Sequence, residues 1–512
     1  MRLFGFLELG VIVKIGISLL VFLLLTACSV LAGAKPNIIL ILTDDQGYGD
    51  VNAHGHPYLK TPHTNKLRSE SVSFDNFYVS PSCSPTRAAL LTGLHEFRSG
   101  VTHTIVPRQQ LHKDAVLLPQ LLKTGGYRTG FIGKWHLGNK PGPEKRGFNW
   151  CSTNVGGPLK HFDATFIRNQ KRRATTGFRE DIFFDEAMTF IEECENEPFF
   201  CYLATYSPHT PLAAPENLIK PFRDAGLNDT HSTYLAMIEN IDYNLGRLMK
   251  FLSDTNREQD TIIIMVNDNG VTEGLDIYNA NMRGSKCTAW EGGSRAFSFW
   301  RWKGIWKPKT INNLTAHLDI LPTLCDLTDT PLTTSLKKKL EGFTLRPLLE
   351  SHKPIKWNQD RILFHHVARW PSGYAEHHKY AMASVRQDNH LMLRSHDCGN
   401  PQCLQYMSQC KGLQNVSRGS KNMTYAYGTA QYHWGVSPKE HWVLYDVKKD
   451  PGCKNDLSKE KPVMIRTLSN AYDTWWDNIF PEMIAKGGDL GNPNQSRKAA
   501  KRDYKKFPNN KK

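Results

Sequence analysis

The residues with the clearest chemical potential form one segment, 83–93, with the sequence Cys-Ser-Pro-Thr-Arg-Ala-Ala-Leu-Leu-Thr-Gly. The thiol of Cys83 is a potential nucleophile. Arg87 would lie one helical turn away, where its guanidinium can bind an anion through hydrogen bonds. Pro85 predicts a loop that breaks at the proline and then enters a helix. The alternative for Cys83 is a buried free thiol, because most isolated cysteines pack as small apolar residues.

Two clusters of oxygen ligands follow two apolar, β-branched runs of the sequence. The first run ends at Asp44 and Asp45, and the second ends at Asp268 and Asn269. Such runs are typical of buried parallel strands, and open α/β sheets bind ligands at the carboxyl ends of their strands, so the clusters are expected to meet. Their oxygens favour a hard divalent cation. Taken alone, each cluster fits a tight turn equally well.

Cationic and imidazole side chains occur in three further segments. Lys134 and His136 follow a short apolar run, His209 stands between two prolines, and Lys286 precedes a cysteine. A positioned imidazole such as His209 is suited to general-acid catalysis. Each residue taken alone also fits an ordinary surface lysine or a capping histidine.

Segments 83–93 and 126–138 resemble the two signature sequences of the type I sulfatases, which belong to the alkaline phosphatase superfamily. The resemblance extends over residues 35–480. It implies that Cys83 is oxidised after synthesis to formylglycine (3-oxoalanine), an aldehyde whose hydrate attacks sulfate esters. It also implies one divalent cation per chain, Ca²⁺ or alternatively Mg²⁺. The metal ligands implied by the resemblance are Asp44, Asp45, Cys83, Asp268 and Asn269.

The same resemblance assigns roles to the remaining candidate residues. Arg87 supports the nucleophile, and Lys134 binds both the sulfate and the nucleophile. His136 assists the release of bound sulfate, while His209 and Lys286 contact the ester oxygen.

The resemblance implies a sulfuric ester hydrolase, acting on aryl sulfates in vitro and on sulfated carbohydrates as natural substrates. The implied partner is a formylglycine-generating enzyme or an anaerobic sulfatase-maturating enzyme. Two alternatives remain at this point. One is a formylglycine-dependent phosphonate monoester or phosphodiester hydrolase, and the other is a non-catalytic carbohydrate-binding homologue in which Cys83 stays unmodified.

Apolar runs alternate with helix-like stretches in the first 350 residues, which predicts an α/β fold. The resemblance specifies a large central mixed β-sheet sandwiched by helices, as in alkaline phosphatase. After residue 350, short aromatic strands precede a helix-like stretch, which predicts a smaller α+β domain with a short antiparallel sheet. The expected strands and helices lie at 129–132, 184–193, 199–204, 234–252, 380–385, 391–394, 442–447 and 463–476. The predicted domains are 35–350 and 351–490.

The first 34 residues have the layout of a secretory signal, with basic residues, an apolar run and then small residues. We therefore expect the protein to be exported to the periplasm, the cell surface or the medium. Residues 25–28 resemble a bacterial lipobox, which would anchor the chain to a membrane through lipidated Cys28; an ordinary signal cleaved near Ala32 or Ala34 is the alternative. The late cysteines fit disulfides of an oxidising compartment. These cysteines are Cys398, Cys403, Cys410 and Cys453.

The C-terminus contributes nearly half of the net charge of +15. The last sixteen residues contain eight lysines and arginines against the single Asp503. Segment 491–512 is therefore predicted to be a disordered basic tail. The remaining body is only mildly basic, so nucleic-acid binding is not expected.

Overall fold

The computed structural model describes residues 35–138, 141–370, 373, 375–394 and 442–490. The predicted leader with Cys28, the basic tail, and Cys398, Cys403 and Cys410 lie outside the described residues. Among the helices of the described ranges, none is long and apolar enough to cross a membrane.

Strands occur throughout the described chain. In chain order they are β1 (Asn37–Asp44), β2 (Val72–Phe74), β3 (Phe77–Tyr78), β4 (Arg128–Gly133), β5 (Trp150–Asn154), β6 (Thr165–Arg168), β7 (Lys171–Ala174), β8 (Phe199–Pro208), β9 (Thr261–Asn267), β10 (Arg295–Ala296), β11 (Ser298–Trp302), β12 (Lys309–Ile311), β13 (Thr315–Ala316), β14 (Ile362–His366), β15 (Ala383–Gln387), β16 (His390–Arg394) and β17 (Val443–Asp446).

Helices separate most of these strands. They are α1 (Pro62–Ser69), α2 (Cys83–Thr92), α3 (Leu118–Thr124), α4 (Arg179–Glu193), α5 (Glu216–Asp224), α6 (Asp229–Asp254), α7 (Glu291–Ser294), α8 (Ile320–Leu327), α9 (Thr334–Lys339), α10 (Arg346–Glu350) and α11 (Pro462–Ala485). Short 3-10 helices lie at Asn52–His54, Glu96–Ser99, Pro143–Lys145, Gly157–Leu159, His317–Asp319 and Glu376–His378.

The centre of the fold is a ten-stranded mixed sheet with the order β12-β2-β11-β9-β1-β8-β4-β5-β6-β7. Strands β9, β1, β8, β4 and β5 run parallel to one another, whereas β11, β6 and β7 pair in the antiparallel sense. The parallel strands place their carboxyl ends along a single edge of the sheet, which is the edge where α/β proteins bind ligands.

The two faces of the sheet are both covered, as the apolar sequence of β1 requires. Ile38, Leu40 and Leu42 pack into one core with residues of α2, α3 and α8. Ile39 and Ile41 pack into a second core with residues of α4 and α6. Successive side chains of a strand point to opposite faces, so a fully apolar strand needs apolar layers on both sides. The predicted mixed sheet sandwiched by helices is confirmed.

The last part of the chain forms a separate antiparallel sheet with the order β14-β15-β16-β17. Helix α11 packs on it through an aromatic cluster that includes Tyr472, Trp475 and Trp476, all of them buried. The predicted C-terminal α+β region with a short antiparallel sheet is therefore confirmed. The exact domain limits, 35–350 and 351–490, remain predictions.

Boundaries differ from the predicted ones in several helices and strands, among them α2, β15 and α11. Helix α2 begins at Cys83, two residues before Pro85, because the first-turn N–H groups of a helix have no intrahelical partner and a proline is tolerated there. Strand β15 begins at Ala383 rather than at residue 380. Helix α11 continues past Trp476 to Ala485, with Pro481 inside it.

Candidate active site

The three central strands bring the acidic residues to one point. Thr43 of β1 pairs with Asn267 of β9, and Asp44 pairs with Pro208 of β8. Asp45, Asp268 and His209 therefore lie next to one another, although Asp45 and Asp268 are 223 residues apart along the chain. Asp44, Asp45, Asp268 and Asn269 are all buried.

Cys83 is the first residue of α2, so the positive end of this helix points at the same place. Ligand atoms of Asp44, Cys83 and Asp268 all lie within 4.8 Å of one another, and so do those of Asp45, Cys83 and His209. The thiol is almost completely buried, and burial raises the pKa of Cys83 to about 11. An unmodified Cys83 would therefore be a neutral thiol and a weak nucleophile at neutral pH.

Each carboxylate of the site has a cationic partner. Lys134 donates a hydrogen bond to Asp44. Lys286 Nζ contacts the two carboxylate oxygens of Asp45 at 2.5 and 2.6 Å. Arg87 Nη2 lies 2.9 Å from Asp268 Oδ2, and its Nη1 donates to the carbonyl oxygen of Lys134 at 2.8 Å. The site thus combines three carboxylates with three cations from separate segments.

The charged neighbours and the burial of the site shift the pKa values of its carboxyl groups. Burial opposes ionisation of Asp44, but the cations led by Lys134 outweigh it and hold the pKa of Asp44 well below its usual range. Burial, followed by the charge of Asp44, raises the pKa of Asp268 to about 8. Three buried carboxylates are too many for their lysine and arginine partners to keep fully ionised. A divalent cation would supply the missing positive charge.

The oxygen atoms at the centre of the site fit such a cation. Asp44 Oδ1 and Asn269 Oδ1 are buried and have no hydrogen-bond partner among the described residues. The Asn269 amide nitrogen donates to Asp45 Oδ1 at 3.0 Å and to the carbonyl of Gly270 at 3.1 Å, which leaves its oxygen available as a ligand. An all-oxygen set of this kind suits Ca²⁺ or Mg²⁺ better than zinc.

The two histidines present different nitrogens to the site. His209 Nδ1 lies 2.5 Å from the Thr210 carbonyl, so it carries the proton, and Nε2 lies 3.7 Å from Asp45 Oδ2. His136 has a left-handed backbone with a φ of 55°, and its Nε2 lies 3.0 Å from the carbonyl of Thr104. Its Nδ1 is buried, and no group in the described part of the chain forms a hydrogen bond with it. All predicted site residues thus converge, while their roles remain predictions.

Tyr234 and Asp50, which lie beneath the acidic loop after β1, are not among the predicted site residues. Tyr234 Oη on α6 lies 2.9 Å from the carbonyl of Asp45 and 2.6 Å from Asp50 Oδ2. Asp50 Oδ2 also accepts the N–H of Gly47 at 2.7 Å, which closes the turn after β1. Asp50 could have been found from its place in the glycine-rich turn, whereas no local signal distinguishes Tyr234 within its helix.

Acidic strand ends, a buried cysteine at a helix start and a ten-stranded mixed sheet together define an enzyme of the alkaline phosphatase-like superfamily. The family model described as Sulfatase matches residues 36–330. The chain belongs to the sulfatase family, and it is an enzyme that hydrolyses sulfate esters.

Characterised relatives cover much of the chain. Arylsulfatase J of Mus musculus is 28% identical over 489 residues, which cover 90% of this chain and 79% of the relative. Arylsulfatase A of Homo sapiens is 30% identical, covering 64% and 70% of the two chains. N-acetylgalactosamine-6-sulfatase of Homo sapiens is 29% identical, covering 62% and 66%.

Solved structures share the fold. Ps i-CgsB in complex with k-i-k-neocarrahexaose superposes with a TM-score of 0.71 at 25% identity, covering 87% of this chain and 93% of the other. The PsFucS1 sulfatase from Pseudoalteromonas sp. has a TM-score of 0.68 at 18% identity, with 91% and 94% covered.

Proposed function

We propose that this sulfatase removes sulfate from carbohydrates, using a formylglycine formed from Cys83 and a divalent cation, with Ca²⁺ as the first candidate. The observation that carries the proposal is the convergence of Cys83 with Asp44 and Asp268, and with Asp45 and His209, each set within 4.8 Å. A buried cysteine with a purely structural role would not be expected to lie among four ionisable side chains.

The cation would be held by Asp44, Asp45, Asp268, Asn269 and position 83. When present, the formylglycine supplies a nucleophilic hydroxyl, and the cation supplies positive charge that favours its deprotonation and polarises the sulfate. The two unpartnered oxygens, on Asp44 and Asn269, support this assignment.

In this proposal, Lys134 and Lys286 bind the sulfate group of the substrate. Both ammonium groups already lie at the centre of the site, bound to Asp44 and Asp45, and they can turn towards sulfate oxygens without leaving it. Positive charge fixed in a buried pocket stabilises the negative charge that develops in the transition state. Arg87 keeps Asp268 and the Lys134 backbone in place through its two hydrogen bonds.

Proton transfer falls to three groups. His209 would give the departing alcohol its proton from Nε2 as an imidazolium, because the Nδ1 proton is held by the Thr210 carbonyl and the Asp45 carboxylate lies 3.7 Å from Nε2. Asp268 accepts the proton of the nucleophile. His136 Nδ1, whose ring is oriented by the Thr104 carbonyl, accepts the proton lost when bound sulfate is released.

The proposed substrate class is supported by the relatives. One of them is named for desulfation of N-acetylgalactosamine, and Ps i-CgsB was solved with a carrageenan-type oligosaccharide. The proposal includes a maturation enzyme that oxidises Cys83 and export of the chain, directed by residues 1–34.

Two measurements test the proposal. Mass spectrometry of the Cys83 peptide from the native host should show the aldehyde, and a persistent thiol there would remove the mechanism. Kinetics on p-nitrophenyl sulfate and p-nitrophenyl phosphate, which share a leaving group, should favour the sulfate. A preference for phosphate or phosphonate esters would instead support a phosphoester or phosphonate hydrolase. A Cys83→Ala variant is the blank for both reactions.

A further inference from the structure

The C-terminal region contributes an arginine to the edge of the active site. His136 Nε2 lies 3.0 Å from the carbonyl oxygen of Thr104, and Arg369 Nη2 donates to the Thr104 hydroxyl at 3.3 Å. Arg369 is therefore separated from His136 by a single residue. Thr104 and Arg369 are both partly exposed, so this edge is open to solvent.

Hydrogen bonds from a buried arginine, Arg108, hold the backbone on both sides of Arg369. Arg108 is buried and donates to the carbonyl oxygens of Ala368 and Trp370, each at 2.7 Å. Its guanidinium also lies over the ring of Trp370, 5.3 Å from the ring centre. Trp370 is completely buried, so Arg369 projects from a segment anchored on both sides. A binding group held by packed neighbours retains its geometry without a ligand.

The surroundings of this arginine are positively charged. The groups that act on buried His103 are Arg108, Arg369 and His136, and together with burial they lower the pKa of His103 well below its usual range. Asp489 acts on Arg108 from elsewhere in the described chain. Arg108 and Arg369 thus add positive charge to this edge of the site, and that charge attracts an anion.

We propose that Arg369, held against Thr104, binds a second anionic group of the substrate, either a carboxylate or another sulfate. This inference rests on the proposed function, because it assumes that a carbohydrate sulfate ester occupies the site beside His136. A planar guanidinium forms two parallel hydrogen bonds with either group. The preferred substrates are then carbohydrates with at least two negative groups, and the second group is recognised by the C-terminal region.

The test uses inhibition of p-nitrophenyl sulfate hydrolysis by matched pairs of disaccharides. One pair differs by a second sulfate, and the other differs by a uronate carboxylate in place of a neutral hexose. The wild-type protein should bind the dianionic member of at least one pair about tenfold more tightly than its partner. In Arg369→Gln this ratio should fall towards one. The pair that responds identifies the anionic group.

Further variants guard against a general loss of structure. Arg369→Lys should keep part of the ratio, because it retains the charge but loses the paired hydrogen bonds. Thr104→Val should reduce the ratio by removing the hydroxyl that holds the arginine. Arg172→Gln, on an exposed position of β7, should leave the ratio unchanged. If the wild-type ratios are close to one, or if Arg369→Gln keeps the wild-type ratio, the proposal is wrong.

Failure of the proposed function has a different signature. If the wild-type protein does not turn over p-nitrophenyl sulfate, the sulfatase mechanism is in question, and the same ratios are measured by calorimetry of disaccharide binding. A preserved ratio with Arg369 intact, lost in Arg369→Gln, would support the anion subsite even then.

Discussion

The hydroxyl of Tyr234 is expected to control how tightly the site binds its cation. It contacts the carbonyl of Asp45 and the carboxylate of Asp50, so it fixes the backbone that carries one of the proposed ligands. Tyr234→Phe removes this single oxygen and leaves the ring, which packs in a core with apolar residues of α5 and α6, Leu59 and Val271. The substitution therefore isolates the hydrogen bonds from the packing.

The magnitude follows from the two contacts that are lost. Tyr234 is fully buried, and each hydrogen bond of this kind contributes about 1 kcal/mol, or somewhat more when its partner is charged. We expect the metal-free variant to lose about 2–3 kcal/mol of unfolding free energy. Groups that orient metal ligands typically change the affinity about 10- to 100-fold, so the Ca²⁺ dissociation constant should rise at least about tenfold.

The assay is chemical denaturation with and without Ca²⁺, combined with calorimetric titration of Ca²⁺ after chelation. A tenfold weaker site lowers the stabilisation by saturating Ca²⁺ by about 1.4 kcal/mol. Tyr278→Phe is the matched control, because its hydroxyl donates to the carbonyl of His54, at 2.6 Å, and touches no proposed ligand. It should lose stability but not Ca²⁺ affinity. Equal Ca²⁺ affinity in Tyr234→Phe and the wild-type protein would refute the reasoning.

Three more outcomes are expected. Cys83→Ser should fold normally, with an unchanged melting temperature, but should lose p-nitrophenyl sulfate turnover. The reason is that serine lacks the second hydroxyl that expels bound sulfate. Measurable steady turnover would contradict this expectation. Lys286→Ala should lower kcat by about 10²- to 10³-fold. The control Lys337→Ala, on the exposed face of α9, should leave kcat unchanged. Equal effects of the two substitutions would argue against sulfate binding by Lys286. Burial raises the pKa of Glu96 to about 7 from 4.5, so stability should fall as the pH rises from about 4.5 to about 7. Glu96→Gln should remove that slope in thermal unfolding and gain up to about 3 kcal/mol above pH 7, and a slope that persists would assign it to other groups.

The parts of the fold that could be predicted are those where one physical constraint dominates. Strands β1 and β9 are buried on both faces, so their sequences are continuously apolar and end abruptly at acidic residues. The cluster of Asp44, Asp45, Asp268 and Asn269 follows from parallel pairing of these strands. The convergence of these acidic residues could be predicted because it depends on where the strands end and not on the conformation of the loops.

Other parts depend on contacts that a local pattern cannot reveal. The sequence predicts that α2 begins after Pro85. The first turn of a helix tolerates proline, however, and α2 begins at Cys83. Tyr234 lies in the second turn of α6, where a buried tyrosine has the same sequence pattern as any core residue. Thr104 acts through its backbone carbonyl, which every residue type possesses. Its contact with His136 is created by the tertiary fold alone.

The pairing of β9, β1 and β8 also sets what can vary in this enzyme. The spacing of the acidic side chains is fixed by backbone hydrogen bonds between neighbouring strands, about 4.8 Å apart. Thr104 and Arg369, in contrast, belong to connections outside the central strands. Exchange of such peripheral residues would change which sulfate ester the enzyme accepts, while the distances between the reacting groups stay constant. The substrate range of the enzyme can therefore change while its catalytic geometry stays the same.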